Sequence, residues 1–231
     1  MELQAIKTNR LYIQVADQLT ALIDSGAIKP GERFPAEREL AEKLGVSRPT
    51  IREAMIAMEL SGIIEIRTGS GIYVSKQKPV LEARDKGVGP FEILEIRYII
   101  ESEACALAAT RITDEQIAQL KETLVAMEEE EKQPDASEKA DWKFHLLIAE
   151  AAQNSAIYSV VNWLWELRNQ SELSTAFFER IRQEGVHPSI NDHRKIVEAL
   201  EKRNPEKARM AMKFHIENAT AAAATYFGKD S

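Results

Sequence analysis

The sequence predicts an all-α-dominated chain in two parts: a small N-terminal unit of short helices closed by a β-hairpin, and a C-terminal antiparallel bundle of six or seven helices. Three observations carry this. Apolar residues recur every three to four positions in two short segments between Phe34 and Leu60. Two β-rich runs then flank a glycine turn between Ile63 and Val74. Beyond Pro90 the periodicity is helical throughout, with no credible strand.

In the first part, Leu40, Leu44 and Val46, then Ile51, Ala54, Met55, Met58 and Leu60, suit two helices that each bury one face. Gly45 can take the positive φ that ends the first, and Ser47 is a good N-cap for the second. Pro49 falls in the first turn of that helix, where its missing N–H costs little, leaving Arg48, Thr50 and Arg52 to project from the N-terminal end. After Gly62 come Ile63-Ile64-Glu65-Ile66-Arg67, Thr68-Gly69-Ser70-Gly71 and Ile72-Tyr73-Val74. This order is the winged helix-turn-helix plan, whose second helix enters the DNA major groove while the hairpin tip touches the backbone. A solvated helix face explains an isolated Arg-x-x-x-Arg equally well; the joint occurrence of helix, turn, helix and hairpin favours DNA binding.

At 231 residues the chain can form two modest domains, and 44% hydrophobic with 29% charged residues is ordinary for a soluble protein. Nothing reads as a membrane span, and Met1 to Arg10 lack the apolar core of a signal peptide. The single cysteine, Cys105, cannot form an intramolecular disulfide, which fits the cytoplasm; its Ala-rich helical setting reads as buried packing. The net charge of −7 divides unevenly. Up to Lys78 there are 11 Lys+Arg against 10 Asp+Glu, and the remainder holds 19 against 27. A DNA-binding part this near neutrality must gather its cations on one face, as Arg38, Arg48, Arg52 and Arg67 would.

Residues 75–90, with two prolines and two late glycines, break both periodicities. The expected domains are therefore 1–76, a linker over 77–90, and 91–231. Helical runs are expected at Phe91–Thr110, Thr113–Lys132, Ser137–Ala152, Ser155–Ile181, Ser189–Arg203 and Pro205–Phe227. The acidic run Glu128 to Glu131 reads as a solvated helix end.

Three of the four histidines, His145, His193 and His215, fall on bundle helices, and Asp141 precedes His145 by four residues. That spacing stacks carboxylate and imidazole on one helix face, and antiparallel packing can bring the later histidines to the same point. Three nitrogens and one oxygen suit Zn²⁺, Ni²⁺ or a similar divalent ion with positions left for a ligand. Hydrogen-bonded core histidines, a dipole-favoured Asp141 and a His215 packed beside Phe214 remain the alternative. Such a metal does not imply an enzyme, because no nucleophile, base or cleft is announced. It suits an acidic ligand oriented by an arginine, for which Arg97 is the candidate; a helical ion pair to Glu101 or Glu95 is its competing role.

The N-terminal residues also resemble the GntR-type bacterial transcription regulators, whose signature is matched by Pro35, Glu37, Arg38, Leu40, Val46, Ser47, Arg48, Thr50, Ile51, Arg52, Glu53, Ala54, Gly69, Ser70, Gly71, Ile72 and Val74. The resemblance implies that Arg38, Ser47, Arg48, Thr50, Arg52 and Gly69 contact double-stranded operator DNA, and that Leu11 to Ile28 form a leading helix. The second part resembles the FadR-like branch with an FCD ligand-binding domain. Asp141 to His145 match its D-x-x-F-H motif, Asp192 to Ile196 its [ED]-H-x-x-I motif, and His215 the final ligand, which implies metal binding by Asp141, His145, His193 and His215. His187 matches no role. A narrower resemblance, carried by Gly89 to Leu94, Arg97, Ile100 to Ser102, Ala149 to Ala151, Gln153 to Ser155, Asp192-His193 and His215, Glu217, Asn218, is to hexuronate-pathway repressors of enteric bacteria. It implies a sugar-acid effector and adds Arg168 as a pocket residue, with a surface salt bridge as the competing role for Arg168. Paired operator half-sites imply a homodimer. A lactate- or glycolate-type 2-hydroxy acid is the alternative effector, and a metal-dependent enzyme with a DNA-binding part the more distant one.

Overall fold

The computed structural model describes residues 10–76, 86–132 and 138–227. They contain ten α-helices and one two-stranded antiparallel sheet and divide into two compact units.

The first unit contains α1 (Leu11–Asp24), α2 (Glu37–Leu44), α3 (Arg48–Leu60), β1 (Ile64–Arg67) and β2 (Gly71–Val74). Helix α1 turns Tyr12, Val15, Ala16 and Leu19 inward, spaced for one face, and packs on α3. Gly45 ends α2 at φ 65° and ψ 33°, a left-handed conformation open to glycine at little cost, and the Val46 N–H returns to the Ala41 carbonyl. Ser47 then caps α3 by accepting the Thr50 N–H. These two caps set the turn between the helices. The wing pairs Ile64 with Val74 and Ile66 with Ile72, so that all four face inward, and Arg33 makes a lone bridge to Tyr73. The strands, the caps and both helices lie where the apolar spacing puts them.

This unit also takes in residues 86–92, 171–177 and 224–227. Phe91, Phe177 and Phe227 form one aromatic cluster, with ring centroids 5.5 to 6.1 Å apart. Most of the expected linker lies outside the described residues. Its end, Lys86 to Val88, is held by Tyr12 and Ser171: the Lys86 N–H donates to the Tyr12 hydroxyl, and Ser171 Oγ donates to the Val88 carbonyl.

The second unit holds the rest of the bundle: α4 (Pro90–Ala109) from Ile93 onward, α5 (Asp114–Glu130), α6 (Lys139–Ala151), α7 (Ser155–Gln170), α8 (Glu172–Gln183) from Phe178 onward, α9 (Ile190–Glu201) and α10 (Pro205–Ala224) to Ala223. Thr113 and Gln116 form a reciprocal capping box on α5, and Ser189 caps α9. Seven bundle helices arise from six periodic runs because the run from Ser155 to Ile181 is two helices. Ser171 interrupts it, its Oγ accepting the Ser174 N–H as a new cap. Apolar spacing continues across that break, so periodicity alone does not reveal it. Cys105 is fully buried, and burial raises its thiol pKa, which fits packing and not reactivity. Among the described residues no helix is long and apolar enough to cross a membrane.

Candidate nucleic-acid face and metal centre

The candidate DNA residues, on α2, at the N-terminal end of α3 and at the wing tip, divide into an outward and an inward set. Arg38 has a side chain 80% exposed and Arg48 one 43% exposed; Ser47 and the wing-tip Gly69 are also on the surface. Gly69 sits at φ 73°, which only glycine adopts freely, so the tip can lie close to a phosphate backbone. Arg67 stands on the same hairpin, over the Tyr73 ring at 4.4 Å.

Thr50 and Arg52 do not share that surface. Thr50 is buried, its hydroxyl 2.9 Å from Ser47 Oγ. Arg52 is 8% exposed, bonds Glu37 Oε2 at 2.8 Å and lies over the Phe91 ring at 4.9 Å. The buried Glu37 carboxylate holds Arg52 through one oxygen and Arg48 through the other. Helical spacing projects Arg48 and Arg52 from one face, one turn apart; Glu37, eleven residues before Arg48, is what draws Arg52 inward.

The bundle brings Asp141, His145, His193 and His215 together, with one ligand atom from each lying within 4.8 Å of the others, all buried. Asp141 and His145 share the inner face of α6, while α9 supplies His193 and α10 supplies His215. His193 Nε2 is 2.8 Å and His145 Nε2 3.5 Å from Asp141 Oδ1. The opposite ring nitrogens are held from behind: His193 Nδ1 by the Ser189 carbonyl at 2.9 Å, and His145 Nδ1 by the Glu101 carboxylate. Backing of this kind fixes tautomer and ring orientation in metal sites.

Electrostatics agree with that arrangement. Burial opposes ionisation of Asp141, but hydrogen bonds from His145 and His193 outweigh it and hold the carboxyl well below its ordinary range. Burial and the neighbouring His193 and His145 push His215 well down, keeping it a neutral ligand-ready imidazole. Burial likewise opposes charge on Glu101, yet Arg97 and His145 bring it to about 2. His215 Nδ1 is buried with no hydrogen-bond partner. An unpartnered buried nitrogen beside two imidazoles and an ionised carboxylate fits a divalent cation.

The cluster opens on a cavity of about 240 Å³ whose wall includes Asp141, His215, Arg97, Arg168, Glu138 and His187. Arg97 lines the cavity and makes the expected helical ion pair, donating from Nε to Glu101 Oε1 at 2.7 Å, with its guanidinium 4.2 Å over Trp165. Arg168 pairs with Glu138 and lies 4.2 Å from the Phe178 ring centroid. Sequence reasoning left His187 without a role, named Asn218 only as part of a resemblance and did not single out Glu138; all three line the wall. Asn218 had a signal within the motif match; Glu138 fell inside the expected run from Ser137, which the structure begins only at Lys139, and His187 stands in irregular backbone, where periodicity carries no information.

Comparison with known proteins agrees in both units. Residues 11–74 match the family of bacterial regulatory proteins called gntR, and residues 92–218 match the FCD domain. The chain is 36% identical to the Uxu operon regulator of Haemophilus influenzae over 91% of its own length and 80% of that protein. It is 34% identical to the Exu regulon transcriptional regulator of Escherichia coli K12, covering 94% of this chain and 85% of the relative. Identity to a putative L-lactate dehydrogenase operon regulatory protein of the same strain is 32%, over 90% and 84% respectively.

Proposed function

Because the chain belongs to the GntR family and carries an FCD domain, and so is a DNA-binding transcription regulator and not an enzyme, we propose that it represses a sugar-acid utilisation operon and leaves its operator when a hexuronate or related keto-hexonate binds. The observation that carries the effector assignment is the Asp/His₃ cluster opening on a cavity with two arginines in its wall. The names of the Uxu and Exu relatives support the hexuronate.

In this reading Arg38, Ser47, Arg48 and Gly69 touch DNA, while Thr50 and Arg52 position them through Ser47 and Glu37. Two copies bind paired half-sites as a homodimer in the cytoplasm. Asp141, His145, His193 and His215 hold the metal, with zinc the expected ion. When bound, it supplies positive charge and open positions for an acid's carboxylate and neighbouring hydroxyl. Arg97 and Arg168 neutralise and orient the acid. The effector acts by favouring the bundle geometry in which it binds best, at the expense of the DNA-competent one.

A 2-hydroxy acid is the second reading, favoured by the lactate-operon relative. Isothermal titration of zinc-loaded protein with D-glucuronate, D-galacturonate, a keto-hexonate, glycolate and L-lactate separates them. Binding of lactate with no response to any six-carbon acid would overturn the hexuronate assignment.

A further inference from the structure

We propose that Glu138 is a built-in stand-in for the effector's carboxylate: it occupies Arg168 until an acid takes its place, and its release loosens the start of the helix carrying Asp141 and His145. This rests on the cavity being the effector site.

Glu138 precedes α6 with φ 51° and ψ 33°, a left-handed conformation costly for a residue with a Cβ. Its side chain makes no capping bond to α6, while its carbonyl accepts the Trp142 N–H at 3.1 Å; the Ala140 N–H is taken by the Glu130 carboxylate at 3.2 Å. Its side chain is 11% exposed, in the cavity wall, with its carboxylate on Arg168 and 3.5 Å from Arg182 Nε. The strained conformation is therefore tied down from the side-chain end.

Arg168 is fixed independently, its guanidinium over Phe178 at 4.2 Å and near Trp165 at 5.2 Å. Of the pair, the cation is the anchored member and the carboxylate the movable one. Arg97 differs, being locked to Glu101 one turn along the same helix, with both side chains buried. An entering acid competes with Glu138 for the charge-assisted pair with Arg168, since two carboxylates brought to one buried guanidinium repel each other. Displacement lets the backbone at 138 leave the left-handed region and frees the first turn of α6, three residues before Asp141.

The test uses zinc-loaded full-length protein titrated with D-glucuronate, D-galacturonate, a keto-hexonate, glycolate and L-lactate. Glu138→Gln removes the competing charge, and Glu138→Gly removes both charge and strain. Both should bind the acid that the wild type binds more tightly, on the order of five- to tenfold. In the wild type, saturating acid should also speed amide hydrogen exchange at residues 139–142. Equal or weaker binding by folded variants overturns the proposal and leaves the cavity assignment standing. If the variants do not fold, unchanged exchange at 139–142 in the saturated wild type overturns it. Failure of the wild type to bind any of the acids removes the cavity reading and this proposal together.

Discussion

Glu53→Gln isolates one buried carboxyl whose ionisation works against the fold. Glu53 lies on α3, fully buried; Oε1 accepts the Phe91 and Glu92 N–H groups at 3.0 and 3.1 Å, while Oε2 has no partner. Burial, only partly countered by those N–H groups, raises its pKa from 4.5 to about 8. With the folded value above the unfolded one, its contribution is fully present below pH 4.5 and is lost as pH rises towards 8. At about 1.4 kcal/mol per decade, the loss approaches 5 kcal/mol once both states are ionised. Glutamine keeps an acceptor for both N–H groups and does not titrate. The stability of Glu53→Gln relative to wild type should therefore climb by about 4 kcal/mol between pH 5 and pH 9, nearly all of it below pH 8. Parallel urea unfolding by far-UV circular dichroism at each pH measures this difference. A difference that stays flat, or that shrinks with rising pH, refutes the burial argument.

Three further outcomes are expected. Gly89→Ala would place a methyl 1.1 Å from Glu53 Oε2, so it should destabilise the protein by about 1–3 kcal/mol and return residue 53 to ordinary titration; wild-type stability in urea would show that the site yields. Arg48→Ala should weaken operator binding by about 1–3 kcal/mol with effector binding intact, measured by fluorescence anisotropy and calorimetry. Unchanged operator affinity would remove Arg48 from the recognition surface. His193→Ala should lower zinc affinity by well over tenfold and abolish effector-driven release, with DNA binding retained; full zinc stoichiometry in the dialysed variant would dismiss the ligand set.

Local rules reached a long way into this molecule. The helix-turn-helix was legible because its two ends are marked by side chains that act on their own backbone, Gly45 through positive φ and Ser47 through its cap. The wing was legible because a period of two replaces one of 3.6. Asp141 and His145 were legible as a pair because four residues make one helical turn. The break at Ser171 was not, because its apolar neighbours keep the same spacing on either side and one serine cap carries no signal above its surroundings.

What the sequence determined by itself was the type and order of the elements apart from the break at Ser171, Ser47 and Arg48 at the start of the second helix of the motif with Arg38 on the first, and a set of residues chemically suited to a metal. What the tertiary structure decided was which side chains meet across long stretches of chain: Arg52 with Glu37, Glu53 with the start of α4, and Arg168 with Glu138 in the cavity wall. Periodicity states which face of a helix is buried, because backbone geometry alone sets it. It does not state what that face will touch, because the partner is chosen by the packing of every element at once.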